Sequence, residues 1–223
     1  MRKVKIRDAS VELRGDGRET REKIIGCAGK LIAHQGFAKT TSKEICEKVK
    51  VNPAAVNYHF GSRDGLYLEL LEVAHDHLMK MEDIDNLQPG QYSPRKKMEK
   101  LIDLLADNAF HKKGWYVQLW LRELLNPTAL FRQVVSDKAL PKFYVVQKLF
   151  SEYTGYAEDD PKLLSCIVSL VAPFSVVRFG RNSRIITELF QKKEENWEKS
   201  LEENLKKQSL AHLDIMKKEY LEK

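Results

Sequence analysis

The sequence predicts an all-α protein. Apolar residues recur at helical spacing along most of its 223 residues, and a capping residue or a proline precedes several of these runs. No stretch alternates apolar and polar residues between hairpin turns, as paired strands would. With 43% hydrophobic and 31% charged residues, the composition is that of a folded, water-soluble chain rather than a disordered or fibrous one.

The first predicted helix follows a short basic arm. Residues 1–18 mix basic and acidic side chains with two glycines and show no sustained apolar period, so we expect them to be flexible. A helix then starts with Thr20 as its N-cap and stops at Gly36. Apolar residues at helical spacing fill the interval between these two positions.

Two short helices are predicted next, in close succession. Thr41 and Glu44 have the spacing of a capping box, in which hydroxyl and carboxylate satisfy each other's exposed backbone amides. Asn52 is placed to cap a third helix with Pro53 at its first position, where the missing N–H has no consequence. Together with the first helix, they predict a helix-turn-helix domain over residues 19–66.

The larger predicted domain covers residues 67–223. A fourth helix runs through Leu66–Leu78, and Ser93 followed by Pro94 marks the start of another. The most apolar stretch, residues 166–177, falls short of the roughly 20 residues needed to span a bilayer. We therefore expect a buried helix there and no membrane association.

The excess of positive charge lies in the N-terminal third. Residues 1–70 carry 14 Lys and Arg against 9 Asp and Glu, a net charge of +5, whereas the remainder carries 24 against 23. A localised positive field favours a polyanionic partner, either a phosphate backbone or an anionic membrane surface. The three cysteines are far apart and the N-terminus is charged, so we expect a reduced, cytoplasmic protein without a secretory signal.

The chain lacks the patterns of an enzyme. His75 and His77 lie two residues apart, which on a helix points them to different sides, so we do not expect them to share a metal ion. Glu82, Asp83 and Asp85 are interpreted as a solvated surface. Since no Ser-His-Asp, Cys-His or phosphate-loop motif is present, we predict no catalytic activity, no metal and no cofactor.

The third helix carries side chains suited to reading duplex DNA. Residues 53–55 are small, so the backbone could approach base edges, and the amide of Asn57 can pair with adenine in two hydrogen bonds. Tyr58, His59 and Arg63 follow where phosphates would run, and the helix N-termini at Thr41 and Asn52 add backbone donors. On spacing alone, a well-capped three-helix unit without DNA binding remains equally open.

Two runs carry a family resemblance. They are Thr40-Thr41-Ser42-Lys43-Glu44-Ile45 and Val51-Asn52-Pro53-Ala54-Ala55-Val56-Asn57-Tyr58-His59-Phe60-Gly61-Ser62-Arg63-Asp64-Gly65-Leu66. The match, about residues 20–70, resembles the DNA-binding signature of the TetR/AcrR family of bacterial regulators, with its aromatic-His-aromatic run ahead of a Ser-basic-acidic helix start. Within this family, residues 54–62 are similar to the CecR/YbiH-like branch. Residues 119–128 resemble the C-terminal domain of that branch more weakly.

The resemblance implies a homodimer with each recognition helix in the major groove of a near-palindromic operator. The residues that match base-facing positions of the family are Lys43, Pro53, Ala54, Ala55 and Asn57. The residues that match its phosphate-facing positions are Ser42, Tyr58, His59 and Arg63. Lys50 stands where the family usually has glycine, so a left-handed conformation there would cost about 1 kcal/mol. Asn57 replaces a common aromatic residue, so the operator sequence of distant relatives does not transfer.

In the family, the C-terminal bundle encloses a pocket for a small-molecule effector. Our candidate pocket residues are Trp115, Gln118, Arg122, Phe174 and Arg178. Aromatic residues at helical spacing are more often core, and Arg122 with Glu123 could equally form a structural ion pair. An effector would act by favouring one spacing of the DNA-binding heads, with the fourth helix as the lever.

We expect subunits to pair through the helix from Pro161 to Phe179 and part of the long C-terminal one. The sequence thus predicts a repressor released from its operator by an effector, with repression expected from the family. The alternatives are an all-helical adaptor without DNA binding and, least favoured, a helical enzyme. Steep salt dependence of duplex binding would distinguish the regulator from the adaptor.

Overall fold

The computed structural model describes residues 9–87, 90, 92–180, 188 and 196–222, and side chains from residue 17 onward. It divides into two compact units, Met1–Val73 and Ala74–Lys223. Every element in the described ranges is helical. The all-α prediction is therefore confirmed for the described part of the chain.

The first unit contains α1 (Ala9–Gln35), α2 (Ser42–Val49), α3 (Ala55–Phe60) and most of α4 (Arg63–Leu78). These helices bury apolar side chains that recur at helical spacing, because one face of each must leave water. The fully buried residues include Ile24, Ala28, Ile45, Val56, Leu66 and Leu70. This small core positions the outward faces of α2 and α3.

Helix α1 differs from the prediction at its start. It begins at Ala9, so Thr20 lies inside the helix and does not cap it. The first eight residues of the predicted arm lie outside the described residues. The predicted end is confirmed: α1 stops at Gln35, and Gly36 follows with φ of 91°, a left-handed conformation that glycine adopts without strain.

The second unit contains α5 (Met81–Asp85), α6 (Pro94–Phe110), α7 (Trp115–Leu125), α8 (Ala129–Val134), α9 (Leu140–Thr154), α10 (Pro161–Gly180) and α11 (Trp197–Leu221). A π-helical turn, Val135–Ala139, joins α8 to α9. Helices α6, α9, α10 and α11 pack against one another around the main core. Side chains of α6, α9 and α10 also line a cavity.

Helix starts in this unit follow the caps that the sequence offers. Ser93 is the N-cap of α6 and its hydroxyl accepts a hydrogen bond from the Lys96 amide, with Pro94 next in the chain, as predicted. Thr128 caps α8 in the same way. Glu123 is buried, and its carboxylate accepts hydrogen bonds from both the amide and the hydroxyl of Thr128. Its role here is to fix the turn between α7 and α8.

Helix α10 covers the predicted range from Pro161 to Phe179 and one further residue, but it is less buried than predicted. It runs for 20 residues, which makes it long and apolar enough to cross a bilayer by length and composition alone. Leu163, Cys166 and Leu170 are buried in the core, as in a helix of a folded domain. The opposite side exposes a stripe at four-residue spacing, defined here as the α10 stripe: Leu164, Val168, Ala172 and Val176. The expectation of a buried helix over residues 166–177 is thus right for one face only, since the other face does not meet the core.

Candidate nucleic-acid interface and cavity

The first unit presents α2, α3 and the turn between them on its surface. The hydroxyl of Thr41 accepts a hydrogen bond from the Glu44 amide at 3.1 Å, which is the predicted N-cap of α2. The carboxylate of Glu44 accepts from the Gln35 side chain at 3.0 Å, so it ties α2 to the end of α1. Lys43 is exposed beside this capped end. Backbone donors at such an N-terminus favour an anion.

The start of α3 lies slightly later than predicted. The helix is regular from Ala55, after a turn at Pro53 and Ala54, so it begins two residues beyond Pro53. The N-cap of α3 is Ala54, and it makes no side-chain cap hydrogen bond. Asn52 instead shapes the turn before the helix, since its Oδ1 accepts a hydrogen bond from the Ala54 amide at 2.8 Å. The predictions of Asn52 as N-cap and Pro53 as first helical residue are therefore both corrected.

The outward face of α3 carries the exposed polar and small side chains. Val56 is fully buried and anchors the helix. Asn57 is exposed, and Tyr58 is 83% exposed, the largest value among the exposed large hydrophobic residues of the described chain. Asn52, Pro53 and Ala54 are exposed at the same end. An amide, a phenol and small residues on one accessible surface match the chemistry of base edges and phosphates.

Four of the predicted DNA-facing residues are less accessible. Ser42, Ala55, His59 and Arg63 are half-buried. The imidazole of His59 meets the Tyr58 ring edge-on, with 4.9 Å between ring centroids. The His59 ring thus packs against the exposed phenol of Tyr58.

Arg63 has an internal role that the sequence did not reveal. Its Nη1 donates to the Thr40 carbonyl at 3.2 Å, and the guanidinium lies 4.2 Å from the centroid of the Phe37 ring. Phe37 in turn stacks on Tyr67 with 4.1 Å between ring centroids. Arg63 therefore joins the start of α4 to the turn before α2. No local pattern signals this contact, because its partners lie more than 20 residues away in the chain.

Lys50 occupies the tight turn after α2 in the left-handed region. Its φ and ψ are 58° and 46°, and it is the one non-glycine residue with positive φ in the described chain. Its amide, together with that of Val51, hydrogen-bonds to carbonyls at the end of α2. The expected left-handed conformation is confirmed. It fixes the angle between the two short helices.

The second unit holds a cavity of about 670 Å³ between the end of α4 and helices α6, α7, α9 and α10. This is within the range of small-molecule sites, about 300 to 1,000 Å³. Most lining side chains are aliphatic or aromatic, and the larger ones include Leu105, Trp120, Phe143, Ile167, Phe174 and Phe179. The polar exceptions are His75, Asn108, Lys142, Ser175 and Arg178.

Two of the five predicted pocket residues line this cavity and three do not. Phe174 and Arg178 are on its wall. Gln118 and Arg122 are exposed, and Trp115 is buried outside the lining. The difference is one of helix phase, because α7 turns Trp120 and Leu124 toward the cavity rather than the face that begins at Trp115. Periodicity alone does not say which apolar face of a helix meets a cavity.

A buried polar cluster closes one side of the cavity. Lys142 is 5% exposed, and its Nζ lies 3.0 Å from Asp76 Oδ1 and 3.3 Å from His75 Nδ1. Burial lowers the pKa of His75 to about 4, with a further lowering by the positive charge of Lys142 that Asp76 partly offsets. His75 is therefore neutral near pH 7 and can accept a hydrogen bond from the ammonium group.

Metal ligation finds no support in the described residues. No three His, Cys, Asp or Glu side chains come together there in a way that could hold an ion. All three cysteines are free thiols, with Cys46 and Cys166 buried. Burial raises the pKa of the Cys166 thiol, so it is a neutral core group rather than a ligand.

Two family models match the chain. The model of bacterial regulatory proteins of the tetR family matches residues 24–70. The model of the C-terminal domain of the HTH-type transcriptional dual regulator CecR matches residues 94–208, which is more than half of the chain. The first match contains the helix-turn-helix, the second contains the cavity residues numbered above 94, and residues 71–93 lie between the two matches.

Among curated proteins, the CecR regulator of Shigella flexneri is 23% identical over 183 residues, which cover 76% of this chain and 80% of that protein. The Probable HTH-type transcriptional regulator YttP of Bacillus subtilis (strain 168) is 25% identical over 134 residues. That match covers 60% of this chain and 64% of YttP, somewhat less than two thirds of its length.

A solved structure with the same fold is that of AibR in complex with isovaleryl coenzyme A and operator DNA. It superposes with a TM-score of 0.59 at 13% identity, over 83% of this chain and 95% of that one. At this identity the likeness concerns the fold. Two sites of this fold need a functional assignment. They are the face formed by α2 and α3, and the cavity of the second unit.

Proposed function

Because the chain belongs to the TetR family of bacterial transcriptional regulators, with a C-terminal domain of the CecR type, we propose that it is a homodimeric repressor released from a near-palindromic operator by a small molecule. The DNA-binding surface is the face formed by α2 and α3. The effector site is the cavity of the second unit. Such a protein works in the cytoplasm, where its DNA is.

The observation that carries this proposal is the exposed end of α3. Asn57 and the 83% exposed Tyr58 stand on the surface while Val56 holds the helix to the core. An amide and a phenol side by side on an accessible surface are groups that can hydrogen-bond to base edges and phosphates. We assign Asn57 to base edges, and Tyr58 with the capped N-terminus at Thr41 to phosphates.

Pairing of two copies is supported by the α10 stripe. Its Leu164, Val168 and Val176 are 53%, 55% and 63% exposed, and Ile215 of α11 is 56% exposed. A row of aliphatic residues along a helix is the surface that a second copy would cover by two-fold symmetry. Two-fold pairing matches the symmetry of a palindromic operator.

Helix α4 extends from the unit that carries the DNA-binding face to the cavity that would bind the effector. Leu66, Tyr67 and Leu70 pack into the first unit, and His75 at its other end lines the cavity of the second. A molecule that favours one placement of His75 therefore biases the same helix that carries Arg63. The effector needs differential affinity for the two arrangements, since equal affinity shifts nothing.

The decisive experiment is selection of bound duplexes from a random pool with the purified full chain. We expect a consensus with two half-sites in inverted repeat. Substituting Asn57→Ala should relax preference at one base pair in each half-site, by about 1 to 3 kcal/mol, while other positions keep theirs. Asn126→Ala, at an exposed position of the second unit, is the matched control and should leave the consensus unchanged.

Salt dependence separates the regulator from an adaptor. The logarithm of the association constant should fall linearly with the logarithm of salt concentration, with a slope that reflects several phosphate contacts per head. A flat dependence, together with the absence of any consensus, would rule out operator binding. It would favour a helical interaction protein instead.

A further inference from the structure

Asn108 places a buried amide on the wall of the cavity. The residue is 8% exposed and lies near the end of α6, where Leu105 and Ala109 also line the cavity. Helical residues three or four positions apart share one face, so Asn108 faces the cavity together with these two neighbours.

The amide of Asn108 leaves its oxygen without a donor. Its Nδ2 donates to the Leu104 carbonyl at 3.0 Å. The reversed amide would bring two oxygens together, so this contact fixes which end is the oxygen. Oδ1 has no hydrogen-bond partner among the described residues. A buried amide oxygen without a donor costs free energy, so this position favours a donor supplied from the cavity.

The other polar side chains of the wall are already engaged. The hydroxyl of Ser175 donates to a carbonyl of its own helix at 3.0 Å. The ammonium of Lys142 lies 3.3 Å from His75 Nδ1. Arg178 donates to two backbone carbonyls at the end of α6. The Asn108 oxygen is therefore an acceptor that a bound molecule can use without breaking an existing hydrogen bond.

A donor that reaches this oxygen should be uncharged. No Asp or Glu is among the cavity-lining residues that the structure describes. An ammonium group buried at this wall would lack a counter-charge, and burying an unpaired charge costs far more than burying a neutral N–H or O–H that is hydrogen-bonded.

The rest of the wall suits an apolar body, and aromatic rings are prominent in it. Trp120, Phe143 and Phe174 line the cavity, and Ile167 and Val171 add aliphatic surface. Aromatic rings pack favourably against one another beyond the area that they bury. This wall offers an aryl body a large contact surface and few hydrogen bonds.

We propose that the cavity takes an uncharged, largely apolar aromatic molecule with one N–H or O–H donor, such as an indole or a phenol. The donor hydrogen-bonds to Asn108 Oδ1, and the aryl body packs on the apolar wall. The assignment rests on the proposed function, since it names the chemical class of the effector for that cavity.

The test compares indole with benzofuran by calorimetric titration of the full-length protein. The two molecules have nearly the same shape, but benzofuran carries an ether oxygen in place of the N–H. Hydration of the N–H makes indole the weaker ligand for a purely apolar wall. With the N–H donating to Asn108, we expect the reverse, about fivefold tighter binding of indole. Equal or weaker binding of indole, or no binding of indole up to its solubility, would overturn the proposal.

The charge of the ligand is tested with tryptamine, which adds an aminoethyl group to the indole ring and is a cation at pH 7. We expect it to bind about tenfold more weakly than indole, because its ammonium group would be buried without a counter-charge or kept outside the cavity. Binding as tight as that of indole would refute the uncharged class.

Variants assign the donor preference to one residue. Asn108→Leu removes the acceptor at similar volume and should reverse the preference, so that benzofuran binds more tightly. Asn126→Leu, the same substitution at an exposed position of the second unit, should keep the native preference. Circular dichroism establishes that each variant is folded. A preference for indole that survives Asn108→Leu would show that the donor is bound elsewhere and contradict the assignment.

Operator binding is measured in parallel, so that the two ideas fail separately. Operator binding that persists while indole shows no preference over benzofuran would refute the ligand class alone. Preferential binding of indole without any effect on operator affinity would support the ligand class and refute effector-controlled release.

Discussion

His75 is a neutral histidine held in a buried position, and this makes the second unit sensitive to acid. The folded protein keeps the pKa at about 4 through burial and the neighbouring charge of Lys142, whereas the unfolded chain has the ordinary value of 6.5. Between these values the unfolded state binds a proton that the folded state does not. Stability is therefore fully present above pH 6.5 and is lost as the pH falls toward 4.

The variant His75→Gln keeps a hydrogen-bond acceptor near Lys142 but does not titrate. We expect it to lose less stability than the native protein between pH 6.5 and 4, by on the order of 2 kcal/mol. Urea unfolding at a series of pH values measures this difference. Parallel pH profiles for the two proteins would contradict the buried, neutral state of His75.

Arg63 combines an internal contact with the phosphate role expected from the sequence. Arg63→Ala removes the hydrogen bond to the Thr40 carbonyl and the stacking on Phe37, so the first unit should lose about 1 to 2 kcal/mol of stability. Arg63→Lys keeps the charge but not the planar group, and we expect it to be destabilised nearly as much. Thermal unfolding followed by circular dichroism measures both.

Lys43→Ala provides the comparison for Arg63, because Lys43 is exposed and its ammonium lies 3.9 Å from Glu47 at the surface. It should leave the melting temperature unchanged while weakening operator binding. If Arg63→Ala likewise changed affinity for all duplexes without changing stability, its role would be limited to the phosphates.

At the scale of elements, the left-handed Lys50 is a point of strain in the turn between α2 and α3. Glycine adopts a φ of 58° without contact between Cβ and the carbonyl, so Lys50→Gly should raise the free energy of unfolding by about 1 kcal/mol. Lys48→Gly, two residues earlier in α2, should lower it by about 0.5 to 1 kcal/mol. Chemical denaturation of both variants checks the difference in sign, and destabilisation by Lys50→Gly would contradict it.

Elements were predictable from the sequence wherever a local signal defines them. Thr41, Ser93 and Gly36 mark helix ends because the bonds that satisfy a helix terminus come from residues three or four positions away. The predicted start of α1 was wrong because a threonine inside a helix and a threonine that caps one can have similar neighbours in the sequence. The π-helical turn before α9 has no comparable local signal.

The candidate sites show the same limit. The exposed face of α3 follows from its own residues, so Asn57 and Tyr58 were placed on the surface by sequence alone. The cavity is a product of five helices, and its lining depends on how each is rotated. Asn108, Trp120 and Lys142 were missed for that reason, since their proximity arises only from tertiary packing.

At the scale of the whole molecule, the α10 stripe predicts how the proposed dimer can be disrupted. Val176→Asp would place one carboxylate from each copy in an apolar interface, and leaving such charges unpaired is costly. We expect a monomer by sedimentation velocity, at concentrations where the native chain is a dimer, and loss of operator affinity. Tyr144→Asp, at a 58% exposed position of α9, should remain dimeric. A dimeric Val176→Asp would place the interface elsewhere.

Two residues of the α10 stripe, Val168 and Ala172, also line the cavity. A guest molecule and a neighbouring copy would then touch opposite sides of the same two side chains, and each would alter the free energy with which the other binds. Thermodynamic reciprocity requires the two effects to be equal. The apparent dissociation constant of the guest should therefore drift on dilution of the protein, through the concentration at which the pairs come apart.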